Sequence, residues 1–281
     1  MKFVDGASNR LSKTVYVPGS VPATPLNYRT YGSDVDETKN QYYIAVAQTN
    51  TAYQISPQYN YSSEKFGYDI TFARSILVNP TNRKVWILGS SHMWRFHADT
   101  FSLEGMAGVP NADYRETVIN RTNSQLYFTN SNTNNTVTVF DGLGMKVITT
   151  VTVGTAPRGL ALDTTRNLLY VANSKSSSVS VIDTLTNTLV DTITVSANPI
   201  GVAVDSLRNK IFVTHHSNLG EFATAQSGTG SIDVIDGATR TIEDVISTPS
   251  DAGGTDIRVN QTTGIIYGIA GTDLYRIEPR A

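Results

Sequence analysis

Three arginines recur at one place in this chain. Arg74, Arg115 and Arg158 each stand five residues before a turn-forming residue, Asn79, Asn120 and Asp163 respectively. A guanidinium presents a planar fork of N–H donors that suits carboxylate and phosphate, and several converging on one opening make an anion site. In the other copies of the pattern the same place holds Tyr31, Ile200 and Thr255. The plainer account is that each arginine pairs with a nearby acid such as Asp113 or Glu116, or belongs to a solvated rim.

His92, His215 and His216 form a second candidate set, since neutral imidazole is a ligand for zinc or copper. Neighbouring residues of a strand point to opposite sides, which separates His215 from His216. No metal or cofactor is therefore expected, and contact with a ligand is the role left to the three. The chain has no cysteine, which excludes disulfides, thiolate catalysis and thiolate zinc sites. It also lacks the phosphate-cradling GxxxxGK[ST], the GxSxG nucleophile elbow and HExxH.

The elements that must position these residues come from an internal repeat. The segment APRGLALDTTRNLLYVANSKSSSVSVIDTLTNTLVDTITV, from Ala156, returns as NPIGVAVDSLRNKIFVTHH from Asn198, and Pro157 and Pro199 lie 42 residues apart. That spacing falls in the range of about 40–45 residues for four-stranded propeller blades. Within each copy, short runs of Val, Ile, Leu and Tyr alternate with Asp, Asn, Thr and Gly turns, which predicts four strands. Asp36, Asn79, Asn120, Asp163, Asp205 and Asn260 mark the turn after each first strand, so six blades are expected. Their approximate spans are 28–70, 71–112, 113–156, 157–198, 199–251, and 252–281 together with 1–19, forming one domain. Each second strand carries an aromatic at one position, Tyr43, Trp86, Tyr127, Tyr170, Phe212 or Tyr267, expected to pack between blades.

The two ends of the chain are complementary. The last copy stops after a third strand, whereas FVDGASNRLSKTVYV at Phe3 matches VIDTLTNTLVDTITV at Val181, the end of a third strand, a turn and a fourth. Strand Lys13–Val17 is thus expected to join the last blade beside Asp273–Ile277 and close the ring, covering two edges that would otherwise promote aggregation. By this reading the domain is complete.

LYVANSKSSSVSVIDTLTNTLVDTITV resembles the YVTN-type propeller repeat, whose consensus runs YVTN, a short loop, VSVID, a turn and a final strand. The match is close in the copy at Pro157 and good at Tyr114 and Pro199. It fades toward the amino terminus, where WILGSSHMWRFHADT and YIAVAQTNTAYQIS keep only the apolar pattern. The resemblance implies an all-β, six-bladed propeller. It also implies an extracytoplasmic or surface setting, since that family is mostly secreted, periplasmic or of surface layers. Fold does not dictate function, however, and related propellers bind small molecules, nucleic acid or protein.

Propeller geometry places the entry of each first strand, with the arginines, at the channel mouth. On that face also lie the loops His92–Met93, Asn130–Asn135 and Asn173–Ser177 and the insertion HHSNLGEFATAQSGTG from His215. Insertions on one face of a repeat protein often carry binding, although this one could equally be an ornament without a partner. On the opposite face Tyr59, Tyr61, Phe66 and Tyr68 surround a hairpin loop and suit protein or sugar contacts, burial against an adjacent blade being the plainer account.

A net charge of −2 with 16% charged residues supplies no global field for nucleic acid, so recognition must be local. No apolar run is long enough for a membrane span, no leader peptide is evident, and Met1 is either a true start or stands in place of a removed leader. The leading expectation is a non-enzymatic scaffold that binds a protein or anionic ligand at the channel mouth. One alternative is a structural or adhesion module of a surface assembly, such as an envelope layer or a virus particle. Another is an enzyme like the six-bladed lactonases, which hold calcium with Glu, Asn and Asp at the channel. Against that, Arg, Tyr, Ile and Thr occupy most of the equivalent places here, and Asp256 is the one acid nearby.

Overall fold

Runs of β-branched and aromatic residues, each ended by Asp or Asn, favour strands joined by tight turns. The computed structural model describes residues 2–5, 10–14, 30–46, 50–56, 62–67, 70, 72–110, 114–131, 134–215, 230–248, 256–270 and 273–278. Every regular element among them is a β-strand, and no helix there is long and apolar enough to cross a membrane. Two compact units divide the chain, Met1–Asn111 and Ala112–Ala281.

The first unit opens with a hairpin of β1 (Lys2–Asp5) and β2 (Arg10–Thr14). Two antiparallel four-stranded blades follow. One comprises β3 (Thr30–Asp36), β4 (Gln41–Val46), β5 (Thr51–Ser56) and β6 (Ser62–Phe66). The other comprises β7 (Ser75–Asn79), β8 (Lys84–Leu88), β9 (His92–His97) and β10 (Leu103–Gly108).

The second unit holds four blades. The first has β11 (Tyr114–Asn120), β12 (Gln125–Asn130), β13 (Thr136–Asp141) and β14 (Lys146–Thr152); the next has β15 (Pro157–Asp163), β16 (Leu168–Asn173), β17 (Ser178–Asp183) and β18 (Thr188–Thr194). Then come β19 (Pro199–Asp205), β20 (Lys210–His215), β21 (Gly230–Asp236) and β22 (Thr241–Thr248). Last is a three-stranded sheet of β23 (Asp256–Val259), β24 (Ile266–Ala270) and β25 (Asp273–Ile277). In each sheet the strands are hydrogen-bonded in chain order, as a blade requires.

All six marker residues act as the turn chemistry demands. The side-chain oxygen of Asp36, Asn79, Asn120, Asp163, Asp205 and Asn260 accepts the backbone N–H two residues on, at 3.0–3.1 Å. Four residues after each marker the backbone is left-handed, with φ between 51° and 74° at Asn40, Arg83, Ser124, Asn167, Asn209 and Gly264. Asparagine and glycine accept this conformation readily, which accounts for four of those six residues. Two of the turns also latch blades together. Arg166 Nη1 donates to Asp163 at 2.9 Å and to the Ser206 carbonyl of the next blade at 2.8 Å, and Arg208 Nη1 joins Asp205 to Gln261 O in the same manner.

Between the latches the aromatics fill the core as expected. Tyr43, Trp86, Tyr127, Tyr170 and Phe212 are buried, each contributing about 1.5–3 kcal/mol, and Tyr267 is half-buried. Tyr43 packs with Ile76 and Val78 of the second blade, Tyr127 with Leu160 and Leu169, and Tyr170 with Val202 and Ile211. First strands also pack together, β3 with β7 in one unit and β11, β15, β19 and β23 in succession in the other. The approach is so close that a Cβ on Gly159 would lie 2.5 Å from Ile200 O and 2.9 Å from Gly201 Cα.

The amino-terminal hairpin repeats the register of a blade's outer pair. Phe3, Val4 and Asp5 pair with Lys13, Leu11 and Arg10, with a bulge after Phe3. Val181, Ile182 and Asp183 pair with Asp191, Leu189 and Thr188 at the same intervals, with a bulge after Val181. Residues 15–17 of the expected closing strand lie outside the described residues.

Candidate functional site

A bulge shapes the entry of the first strands. Between Tyr114 and Thr117 strand β11 advances by three residues while β12 advances by two, and the same extra residue occurs after Pro157 in β15 and after Pro199 in β19. Bulges re-aim side chains and concentrate at rims and binding sites. Arg115 and Arg158 lie within the bulges of β11 and β15, Arg115 exposed and Arg158 half-buried.

One hydroxyl ties the two bulges together. Thr129 Oγ1, on β12, accepts from Glu116 N at 3.2 Å and donates to Arg158 O at 3.2 Å. The backbones at Glu116 and Arg158 are thereby linked across the two blades. Arg74 immediately precedes β7 in the first unit, with its N–H bonded to Leu88 O at 2.7 Å and its side chain half-buried. Tyr31 lies where β3 has its own extra residue, between Thr30 and Gly32.

Glu116, considered in the sequence only as a counter-ion for an arginine, occupies a more central position. Its Oε2 accepts from Leu160 N on β15 at 3.3 Å, and its Oε1 lies 3.3 Å from Arg258 Nη2 on β23. The carboxylate thus joins first strands of three blades. Asp34 plays the same part in the first unit, where Oδ2 accepts Val78 N on β7 at 2.8 Å. Sequence reasoning missed Arg258. A signal existed, because two residues before each marker the other blades hold Asp34, Leu77, Val118, Ala161 and Ala203, and only here an arginine.

The histidines divide. His215, expected at a ligand face, is instead 4% exposed. Its Nδ1 faces Ala197 O at 3.1 Å, and its Nε2 lies 3.0 Å from Asp233 Oδ2, close for an ion pair but off the line of a good hydrogen bond. Asp233 also accepts from Ser196 N and Ser196 Oγ, both at 2.8 Å. Burial pushes the Asp233 carboxyl up, but the contacts with His215 and Ser196 outweigh it and hold the group below its ordinary 3.8. The cluster is no nucleophile relay, since Ser196 bonds the carboxylate and not the imidazole.

It replaces a neutral arrangement. At the same register Asn130 Nδ2 donates to Thr136 and Thr138, and Asn173 Nδ2 to Ser178 and Ser180. His215 therefore serves the blade interior, which corrects its assignment as a ligand-binding residue. His92, placed in a loop by the sequence, starts strand β9, with Nδ1 2.9 Å from Ser91 Oγ and its ring tilted on Trp94. His216, most of the insertion, Thr255, Tyr59, Tyr61 and Tyr68 lie outside the described residues, and Phe66 is buried. Among the described residues no group of three or more His, Cys, Asp or Glu is placed to hold a metal ion.

No family model matches the chain, and no curated protein matches it in sequence. Solved structures do. The hydrazine synthase of Kuenenia stuttgartiensis is similar over 90% of this chain and 76% of that one, with a TM-score of 0.72 and 13% identity. At that identity the likeness bears on the fold alone, a β-propeller. With 1514 solved chains matching, the architecture is too widely used to point to one activity.

Proposed function

We propose that the chain is a non-enzymatic binding scaffold of the YVTN-type propeller kind, which takes the anionic group of a protein or smaller ligand on Arg115 and Arg158. The observation that carries this reading is the pair of bulges joined through Thr129, whose hydroxyl links the backbones of Glu116 and Arg158 on adjacent blades. Arg74 has the equivalent repeat position in the first unit. The test is binding to a panel of phosphorylated, carboxylate and nucleic-acid ligands. Replacing Arg115 and Arg158 together by alanine should abolish the binding that the wild type shows, and unchanged binding would sink the proposal.

A second reading, a module of an extracytoplasmic or particle surface assembly, is favoured by apolar side chains exposed on outer strands. Leu103 and Met106 on β10, Val190 on β18 and Val245 on β22 are 47–58% exposed. A stable monomer at high concentration would count against it.

The ring-closing role of the amino terminus also belongs to the proposal. Its support is the shared register of β1–β2 and β17–β18, by which β2 corresponds to the fourth strand that the three-stranded sheet lacks among its described strands. Because the chain has no native cysteine, pairs of cysteines, one introduced in 10–14 and one in 273–277, give a direct test. One pairing should form a disulfide in the folded protein, and failure in every register would refute closure.

A further inference from the structure

Arg258 is a cation that neither the repeat nor the bulges explain. It comes from the first strand of the last blade, its side chain is 61% exposed, and the carboxylate it meets, on Glu116, is 18% exposed. The partners are 142 residues apart in sequence and 3.3 Å apart in space, a long contact for a guanidinium and a carboxylate. Arg258 Nη1 donates to the carbonyl of its own neighbour, Ile257 O, at 2.9 Å. Glu116 in turn follows Arg115 directly and has its N–H bonded to the hydroxyl that also holds the Arg158 carbonyl.

We propose that Glu116 is a built-in competitor of the anion site and that Arg258 is the site's third arginine, released to the ligand when a phosphate monoester replaces the Glu116 carboxylate as its partner. This deepens the anion-binding reading above and rests on it. The chemistry favours exchange. A phosphate monoester offers three oxygens and close to two negative charges, so it is a stronger partner for a fork of donors than one oxygen of a carboxylate at 3.3 Å. Glu116 keeps its second oxygen on Leu160 N, so losing Arg258 leaves it neither unpaired nor displaced from the strand. The same fixed negative charge beside the site disfavours a long polyanion such as nucleic acid, whose successive phosphates would have to pass it.

Inorganic phosphate and O-phosphoserine, titrated calorimetrically into the full chain at low salt, separate a free anion from a phosphorylated side chain. Glu116→Gln retains an oxygen for Leu160 N and removes the competing charge, and it should tighten binding of at least one probe by about three- to tenfold. Arg258→Ala should weaken it by about tenfold. Unchanged or weaker binding by Glu116→Gln, or unchanged binding by Arg258→Ala, would overturn the proposal. Should Glu116→Gln fail to fold, as judged by thermal melting, Arg258→Ala decides alone. If Arg115→Ala with Arg158→Ala abolishes binding while neither Glu116→Gln nor Arg258→Ala alters it, this inference falls and the anion site stands. Should the wild type bind neither probe, both fall.

Discussion

Replacing Asp233 with alanine is expected to cost the second unit about 3–5 kcal/mol, since its two hydrogen bonds to a charged acceptor are worth about 1.5–3 kcal/mol each. The carboxylate is fully buried, accepts Ser196 N and Ser196 Oγ at 2.8 Å, and lies 3.0 Å from His215 Nε2. Its loss removes the acceptor of the half-buried Ser196 amide and hydroxyl and leaves the buried imidazole without its carboxylate neighbour. The neighbouring blade shows the remedy. Asn173 and Ser180 occupy the positions of His215 and Asp233, so His215→Asn with Asp233→Ser rebuilds a neutral pair already present in the fold. That double variant should recover all but about 1 kcal/mol.

Urea unfolding is the assay, followed by circular dichroism, because both tryptophans, Trp86 and Trp94, lie in the first unit and would report on it alone. A loss below about 1 kcal/mol in Asp233→Ala, or a double variant no more stable than the single one, would refute the reasoning.

Other expectations follow from single contacts. Tyr127 Oη donates to Gln125 at 2.9 Å, whereas buried Tyr170 Oη has no hydrogen-bond partner because Leu168 stands in the glutamine's place. Tyr127→Phe should therefore cost about 1 kcal/mol and Tyr170→Phe nothing, and equal losses on denaturation would contradict this. Gly159→Ala should destabilise by about 1–3 kcal/mol through the close approach to β19, and a wild-type melting temperature would show that the strands can separate freely. Acid should also weaken the fold. Asp99, through its bonds to Arg83, and Asp36 and Asp233, where hydrogen bonds override burial, all have folded values below the ordinary 3.8. Their stabilisation is complete above the unfolded value and fades as pH falls through the lower folded ones, so melting temperatures should drop below pH 3.8. A level profile down to pH 2 would contradict that sign.

Much of this architecture is legible in the sequence because it is written six times. An Asp or Asn that caps its own turn and an aromatic two residues into the second strand are local rules, and repetition separates them from chance. The bulges are not legible. Nothing in Tyr114–Thr117 or Pro157–Leu160 announces an extra residue, since a bulge is a relation between two strands and the sequence shows one at a time. The burial of His215 is hidden for a related reason. Its neighbour Asp233 lies two residues along the facing strand and beyond an insertion, and only the register brings them together. Arg258 meets Glu116 across 142 residues, a distance no local pattern spans.

The most direct test of the central claim is to locate a bound anion. Tungstate, a tetrahedral oxyanion that mimics phosphate, can be soaked into crystals of the protein and found by anomalous scattering. The account predicts a peak within hydrogen-bonding reach of the Arg115 and Arg158 guanidiniums, lost in the Arg115→Ala, Arg158→Ala variant. A peak elsewhere on the protein with none at these bulges, or one that survives both substitutions, would contradict it.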